Sequence, residues 1–159
     1  MEVNVIGLAR LIQLVLPGMR EKRFGKIVNI SSMAGKIYSP FGDWYHASMH
    51  ALESLSDCLR WETKPFGIDV IIVEQGGINS PWGVISADNL KKTSGEGVYA
   101  ETAVESAASL RKRYTSDQLT EPVVIAKTIF NGCHGKKAQD KIRCRLWRKT
   151  YDIYEKSSK

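Results

Sequence analysis

Apolar residues in the first twenty positions recur at intervals of three and four: Val5, Leu8, Leu11, Ile12, Val15, Leu16 and Met19. That periodicity predicts an amphipathic to largely buried helix over residues 3–19. Pro17 is expected to kink its last turn or end it, because proline lacks the amide hydrogen and its ring meets the carbonyl four residues back. The basic connector REKRFGK leads into IVNIS, which is short, rich in β-branched residues and bounded by Gly25 and a serine pair. It reads as a buried strand. From Trp44 to Lys64, the positions Trp44, Ala47, Ala51, Leu55, Cys58 and Leu59 return to helical spacing, with Asp43 placed to cap the start and Pro65 beyond the end. IDVIIVEQ is a continuous apolar strand stopped by Gly76 and Gly77.

An order of helix, strand, helix, strand predicts βαβ units and an α/β fold with a parallel sheet. Residues 78–97 mix Pro, Gly, Ser and Asn with short apolar groups and read as a mobile lid. Two further helices are expected over 100–114 and 121–131, the second capped by Thr120 with Pro122 in its first turn, where the missing N–H costs nothing.

Composition narrows the setting. With 43% hydrophobic and 25% charged residues in 159, the chain has an ordinary soluble balance. Cys58, Cys133 and Cys144 are odd in number and far apart, which argues against a disulfide framework or a zinc site and favours a reducing cytoplasm. No run reaches roughly 18 uninterrupted apolar residues and MEVNVIG lacks a basic leader, so no membrane span is expected. The charge is uneven: Gly132 to Lys159 holds nine Lys or Arg against three acids, which accounts for the whole net +6. A solvated helical face explains KIRCRLWRK better than nucleic-acid binding, since it interleaves a single Trp and carries no recognised motif.

Candidate chemistry concentrates after the first strand. Ser31 and Ser32 stand at its C-terminal end, where ligands bind in open α/β sheets, and Tyr45 follows at the start of the next helix. A tyrosine beside positive charge can act as a general acid or base, and a serine can hold a carbonyl oxygen next to it. Taken alone, a capping serine and a packed tyrosine are the favoured explanation of these residues, since such groups usually just satisfy hydrogen bonds. His46 and His50 share a helix face but lack an acidic third ligand, so ordinary polar roles and no metal are expected. Trp44, Trp61, Trp82 and Trp147 read mainly as packing residues, with Trp82 beside Ser80 placed to touch substrate.

In order, Asn4 in VNVIG, the strand end NISS, Tyr45 thirteen residues after Ser32, and the turn EQGGINS resemble the C-terminal half of the classical short-chain dehydrogenase/reductases. The likeness runs from about residue 3 to residue 80. It implies a Rossmann-like, doubly wound parallel sheet present in part: a catalytic half over 1–80, a substrate lid over 81–98, and C-terminal helices with a basic tail over 99–159. It further implies that Tyr45 exchanges the proton on the substrate oxygen, that Ser32 positions that oxygen, and that Asn4 holds a water in the relay. Gly76, Gly77 and Ser80 would meet the nicotinamide of NAD or NADP, and a small alcohol or carbonyl compound would be the substrate. The two long helices, 3–19 and 44–64, correspond to the family's dimer interface. Leu8, Leu11, Leu55 and Leu59 are then expected at a contact between subunits.

Three positions depart from the pattern. The family's Lys, four residues after the Tyr, is Met49, which offers neither a charge nor a donor. Gln75 replaces the Pro of the P-G turn, and no Gly-rich phosphate turn of the form TGxxxGxG, nor NNAG, is present. The tail after Gly132 departs from the family's final strand, and the strand IVNIS is expected to expose an apolar edge. The resemblance therefore implies an impaired oxidoreductase, with a noncatalytic dimerisation module as the alternative.

Overall fold

The computed structural model describes residues 1–134 and 141–143. A wide π-helical turn over Glu2–Gly7 leads into α1 (Leu8–Glu21), followed by β1 (Gly25–Ser32) and a short 3-10 turn over Met33–Gly35. Then come α2 (Asp43–Thr63), β2 (Ile68–Gln75), α3 (Trp82–Ser94), α4 (Ala100–Tyr114), α5 (Pro122–His134) and β3 (Lys141–Arg143). β1 and β2 run parallel, with Gly25 opposite Ile68 and Ser32 opposite Gln75. β3 pairs parallel on the other side of β2, giving the order β1-β2-β3. This is the expected α/β parallel sheet of a Rossmann-like domain, present in part.

The sheet explains the sequence pattern. β2 is the central strand, and Val70, Ile71, Ile72 and Val73 are almost wholly buried, as a strand covered on both faces requires. Ile12 of α1 and Leu59 of α2 pack on Ile27, Ile68 and Val70, with Leu8, Leu16, Met19 and Phe66 around them. Each such aliphatic side chain contributes about 1.5–3 kcal/mol on burial. Leu59 and Leu8 thus face the sheet and are spent on the core, which removes two of the four leucines expected at a subunit contact. Leu11 is two-thirds exposed and remains available. The outer edge of β1 has no strand partner among the described residues, and Ile30 on it is exposed, in line with the apolar edge expected.

Local expectations were corrected in five places. Helix α1 continues through Pro17 to Glu21; Gln13 and Pro17 are both exposed, so the carbonyl that loses its partner lies on the solvent side. Gly42 occupies the cap position of α2, while Asp43 lies in the first turn, where its charge still favours the helix dipole. Residues 82–94 of the stretch read as a lid form a thirteen-residue helix. Lys141–Arg143 is a strand, not part of a helical face, and supplies the sheet's far edge; the rest of KIRCRLWRK, Cys144 and Trp147 lie outside the described residues. Finally, Glu2–Glu21 is long and apolar enough to cross a membrane by length and composition, although one of its faces carries Ile12 into the core. Arg10 and Gln13 interrupt the apolar run without lowering its average enough to exclude it.

The chain forms two compact units, Met1–Gly76 with Ile125–Lys159, and Gly77–Val124. Within the first, Gly67 has φ 70°, and a Cβ there would stand 2.4 Å from the Arg23 carbonyl oxygen, so the connectors after α1 and α2 meet backbone to backbone. Within the second, Ile78 bridges Thr120 and the Asn79 amide donates to the Thr120 carbonyl at 2.9 Å. Helices α3 and α4 there pack closely, because Gly83 leaves room for the Tyr114 ring and Ala87, Ala103 and Ala107 are small and buried. Trp82 lies 5.6 Å from the Tyr114 ring, and Arg111 reaches Asp88 at 3.0 Å.

Candidate active site

β1 delivers Ser32 to the C-terminal end of the sheet, and the chain turns there at once. The Ser32 hydroxyl accepts from the Ala34 amide at 3.2 Å, capping the 3-10 turn and leaving its own proton free to donate. Tyr45 and Met49 lie one helical turn apart near the start of α2. The Tyr45 ring packs on a small core of Ala34, Met49 and Leu52, which brings the helix face of Tyr45 and Met49 against the turn that follows Ser32. His46 fastens this junction. Its Nδ1 donates to the Ala34 carbonyl at 3.0 Å, and its Nε2 accepts from the Ser39 hydroxyl at the same distance. Its ring meets Tyr45 edge to face at 6.1 Å. His50 donates from Nδ1 to the His46 carbonyl at 2.9 Å.

Asn4 is tied to the same helix. Its amide nitrogen donates to Ser48 Oγ at 3.0 Å, and Ser48 donates on to the Tyr45 carbonyl at 2.8 Å. The expected Asn4, Ser32, Tyr45 and Met49 are thus gathered in one unit around the first two turns of α2. Deeper in the same seam, Asn29 donates to Ser56 Oγ at 2.8 Å, while Ser31 Oγ is buried without a hydrogen-bond partner. Met49 is 5% exposed. At the family's lysine position the chain therefore presents a buried thioether packed into hydrocarbon, with no donor.

One group of residues went unread in the sequence. Lys36, Glu53, Asp57, Arg60, Glu74 and Lys141 form an ion-pair cluster beside the site, and both Glu53 and Glu74 are buried. Burial raises the Asp57 carboxyl, but hydrogen bonds and charge from Lys141 and Arg60 outweigh it and hold the group below its ordinary value. Burial likewise lowers Lys141, yet the Asp57 hydrogen bond and the charges of Asp57, Glu53 and Glu74 hold its ammonium above the usual range. The readable sign was a glutamate inside the otherwise apolar run of β2.

The positions that the resemblance assigns to the cofactor divide between the units. Gly76 ends the first at half exposure. Gly77, buried, opens the second and accepts from the Thr120 amide at 3.1 Å. Ser80 is half-buried just before α3, and Trp82 is the first residue of that helix. A nicotinamide dinucleotide fits these residues incompletely. Met49 donates nothing to a ribose hydroxyl, and the sequence holds no glycine turn at a helix start for a pyrophosphate.

The family model for short chain dehydrogenase matches residues 1–90. A probable short-chain type dehydrogenase/reductase, VdlC of Helicobacter pylori, is 37% identical over 128 residues, 80% of this chain and 46% of that protein. Among solved structures, a short-chain dehydrogenase from Streptomyces avermitilis superposes with a TM-score of 0.75 at 28% identity, covering 99% of this chain and 56% of the other. A variant actinorhodin polyketide ketoreductase with NADPH gives 0.66 at 25% identity over 88% of this chain and 54% of its own. The chain spans about half the length of the curated relatives it matches. It belongs to the short-chain dehydrogenase family.

Proposed function

We propose that this chain carries the proton-handling half of an NAD(P)-dependent oxidoreductase acting on a hydroxyl/carbonyl pair, and that Met49 impairs its chemistry. The observation that supports the reading is the junction of β1 and α2, where the turn that Ser32 caps is held by His46 and the Ala34 core against the helix face that carries Tyr45. In this reading Ser32 donates to the oxygen of a small alcohol or carbonyl compound. Tyr45 passes a proton to or from that oxygen, and Asn4 fixes the helix turn that presents Tyr45. The hydride chemistry would be supplied by the nicotinamide of NAD or NADP. The test joins this chain to the cofactor-binding half of an intact relative and measures turnover of NAD(P)H with a panel of ketones. Slow turnover abolished by Tyr45→Phe supports the reading, whereas turnover indifferent to Tyr45 sinks it.

A second reading, a noncatalytic interaction module, is favoured by the exposed apolar residues Leu11, Leu14 and Val15 on α1 and Trp44 and Trp61 on α2. Exposed large apolar side chains that cluster mark contact surfaces, and Leu11, Leu14 and Val15 lie close together on α1. Its occupant would be a second copy or an intact relative. Sedimentation of the purified chain, alone and mixed with an intact relative, separates the readings, since a chain that stays monomeric in both removes this one.

A further inference from the structure

The charged cluster beside the site is costly to build and is not explained by stability. Lys36 Nζ lies 2.9 Å from Glu53 and 3.8 Å from Glu74; Lys141 lies 3.5 Å from Glu53 and 2.8 Å from Asp57; and Arg60 closes on Asp57. Three carboxylates meet three cations, so the cluster is neutral when every member is ionised. Glu53 and Glu74 are its buried members, and exchanging buried charges with their partners for apolar groups is often neutral or stabilising, so their presence calls for another reason.

Position supplies the reason for Lys36. It terminates the turn that begins at Ser32, with its own amide and that of Ile37 both donating to the Met33 carbonyl, at 2.9 and 3.2 Å. That turn touches α2 at successive levels. His46 bonds the Ala34 carbonyl. Gly35 lies so close to α2 that a Cβ would stand 3.1 Å from the Met49 carbonyl oxygen and 2.9 Å from Glu53 Cγ. Lys36 then reaches Glu53. Residues 45, 49 and 53 are spaced by four and share one helix face, so the last of these contacts sits two turns beyond the tyrosine.

We propose that Lys36 and Glu53, anchored to β2 through Glu74, are positioning residues that lock the Ser32–Gly35 turn onto the Tyr45 face of α2 and thereby set the relation between the two hydroxyls. The purpose of the clamp rests on the oxidoreductase reading above, but its geometry does not. The experiment uses the full chain at neutral pH with Lys36→Met, the isosteric Glu53→Gln, and Lys36→Arg as the charge-retaining control. Amide hydrogen exchange is followed at residues 34, 36 and 37 and, for comparison, at Val70 to Val73 of β2, together with the Tyr45 ring resonances. Both neutral variants should accelerate exchange in the turn at least about ten-fold more than in β2 and shift the Tyr45 signals, and Lys36→Arg should restore both. Equal acceleration of turn and strand means a general staple and overturns the proposal, as does unchanged exchange in the turn. If Lys36→Met does not fold, Glu53→Gln reads the same contrast. None of these readouts needs nucleotide or turnover, so the clamp and the oxidoreductase reading fail separately.

Discussion

Replacing Met49 by Lys should act with opposite signs in two settings. In the chain as it stands, Met49 is 5% exposed against Ala34, Leu52 and Tyr45, so an ammonium there loses nearly all of its water. Full desolvation of a charge costs several kcal/mol. The long lysine stem recovers part of this by reaching outward, and Glu53 one turn on adds about 0.2–0.5 kcal/mol of helix pairing. The net expectation is a loss on the order of 1–3 kcal/mol, the range for a buried polar group that is only partly compensated. Urea unfolding of wild type, Met49→Lys and a Met49→Leu control measures it, the control costing under about 1.5 kcal/mol as a volume-conserving swap. With the cofactor half restored, the same lysine gains a ribose to bind and a phenol to polarise. There kcat/KM should rise by at least about 10²-fold, or roughly 2.7 kcal/mol of transition-state stabilisation. Tyr45→Phe should erase that gain. A lysine that leaves the isolated chain as stable as wild type and the joined protein no faster would show that position 49 does not face the reacting groups.

Calorimetry of the isolated chain with NAD(H) and NADP(H) should give no measurable binding, because the pyrophosphate lacks a glycine turn at a helix start; micromolar affinity for either overturns this. If the chain self-associates, Leu11→Glu together with Leu14→Glu should shift it to monomer in sedimentation, whereas Leu59→Glu should unfold it, since that side chain is in the core. An unchanged oligomer in the first variant rejects α1 as the contact. The Asp57–Lys141 pair sets a pH window. Asp57 is depressed, so its contribution is present above its unfolded value of 3.8 and is lost as pH falls through the lower folded value. Lys141 is raised, so its contribution is present below 10.5 and is lost as pH rises through the higher folded value. The stability difference between wild type and Asp57→Asn should therefore be flat, at about 0.2–1 kcal/mol for so open a pair, from about pH 5 to 9, vanish toward acid, and fall only in part toward alkali, where Arg60 stays charged beside Asp57. A difference that grows toward acid contradicts the assignment.

The elements that could be read from the sequence are those whose pattern reflects burial directly. β2 announces itself by an unbroken apolar run because it is the central strand, and α2 by a periodic face because it lies on the sheet. β3 escaped notice because three residues in a basic tail carry no periodicity, and their strand conformation comes from the partner β2 provides. Helix α3 was hidden for a similar reason: Gly83, read as a loop residue, is glycine so that the Tyr114 ring can come close. Hydrophobic spacing also gave the wrong face for two leucines. Leu8 and Leu59 have the same periodicity as Leu11 and Leu55, and only the position of the sheet decides which pair is spent inside.

The site divides along the same line. Ser32, Tyr45 and position 49 were legible because they lie along one strand–turn–helix segment whose residue order resembles the family's, and the fold sets the turn after Ser32 against the helix face of Tyr45 and Met49. The Lys36, Glu53 and Glu74 cluster was not, because its members come from three elements and their relation exists only after β1, α2 and β2 have packed. This difference bears on what Met49 means. A chain that had merely lost its function would be under no demand to keep a turn clamped by buried charges, since apolar replacements there cost little. Here the Lys36–Glu53 ion pair, the His46 bridge and the Asn4–Ser48 tie are all present around a site whose cation is replaced by Met49. On the oxidoreductase reading, a framework that keeps Ser32 and Tyr45 in place would bind a carbonyl or hydroxyl compound even where proton transfer is slow, because binding needs the donors in place and catalysis needs the charge as well.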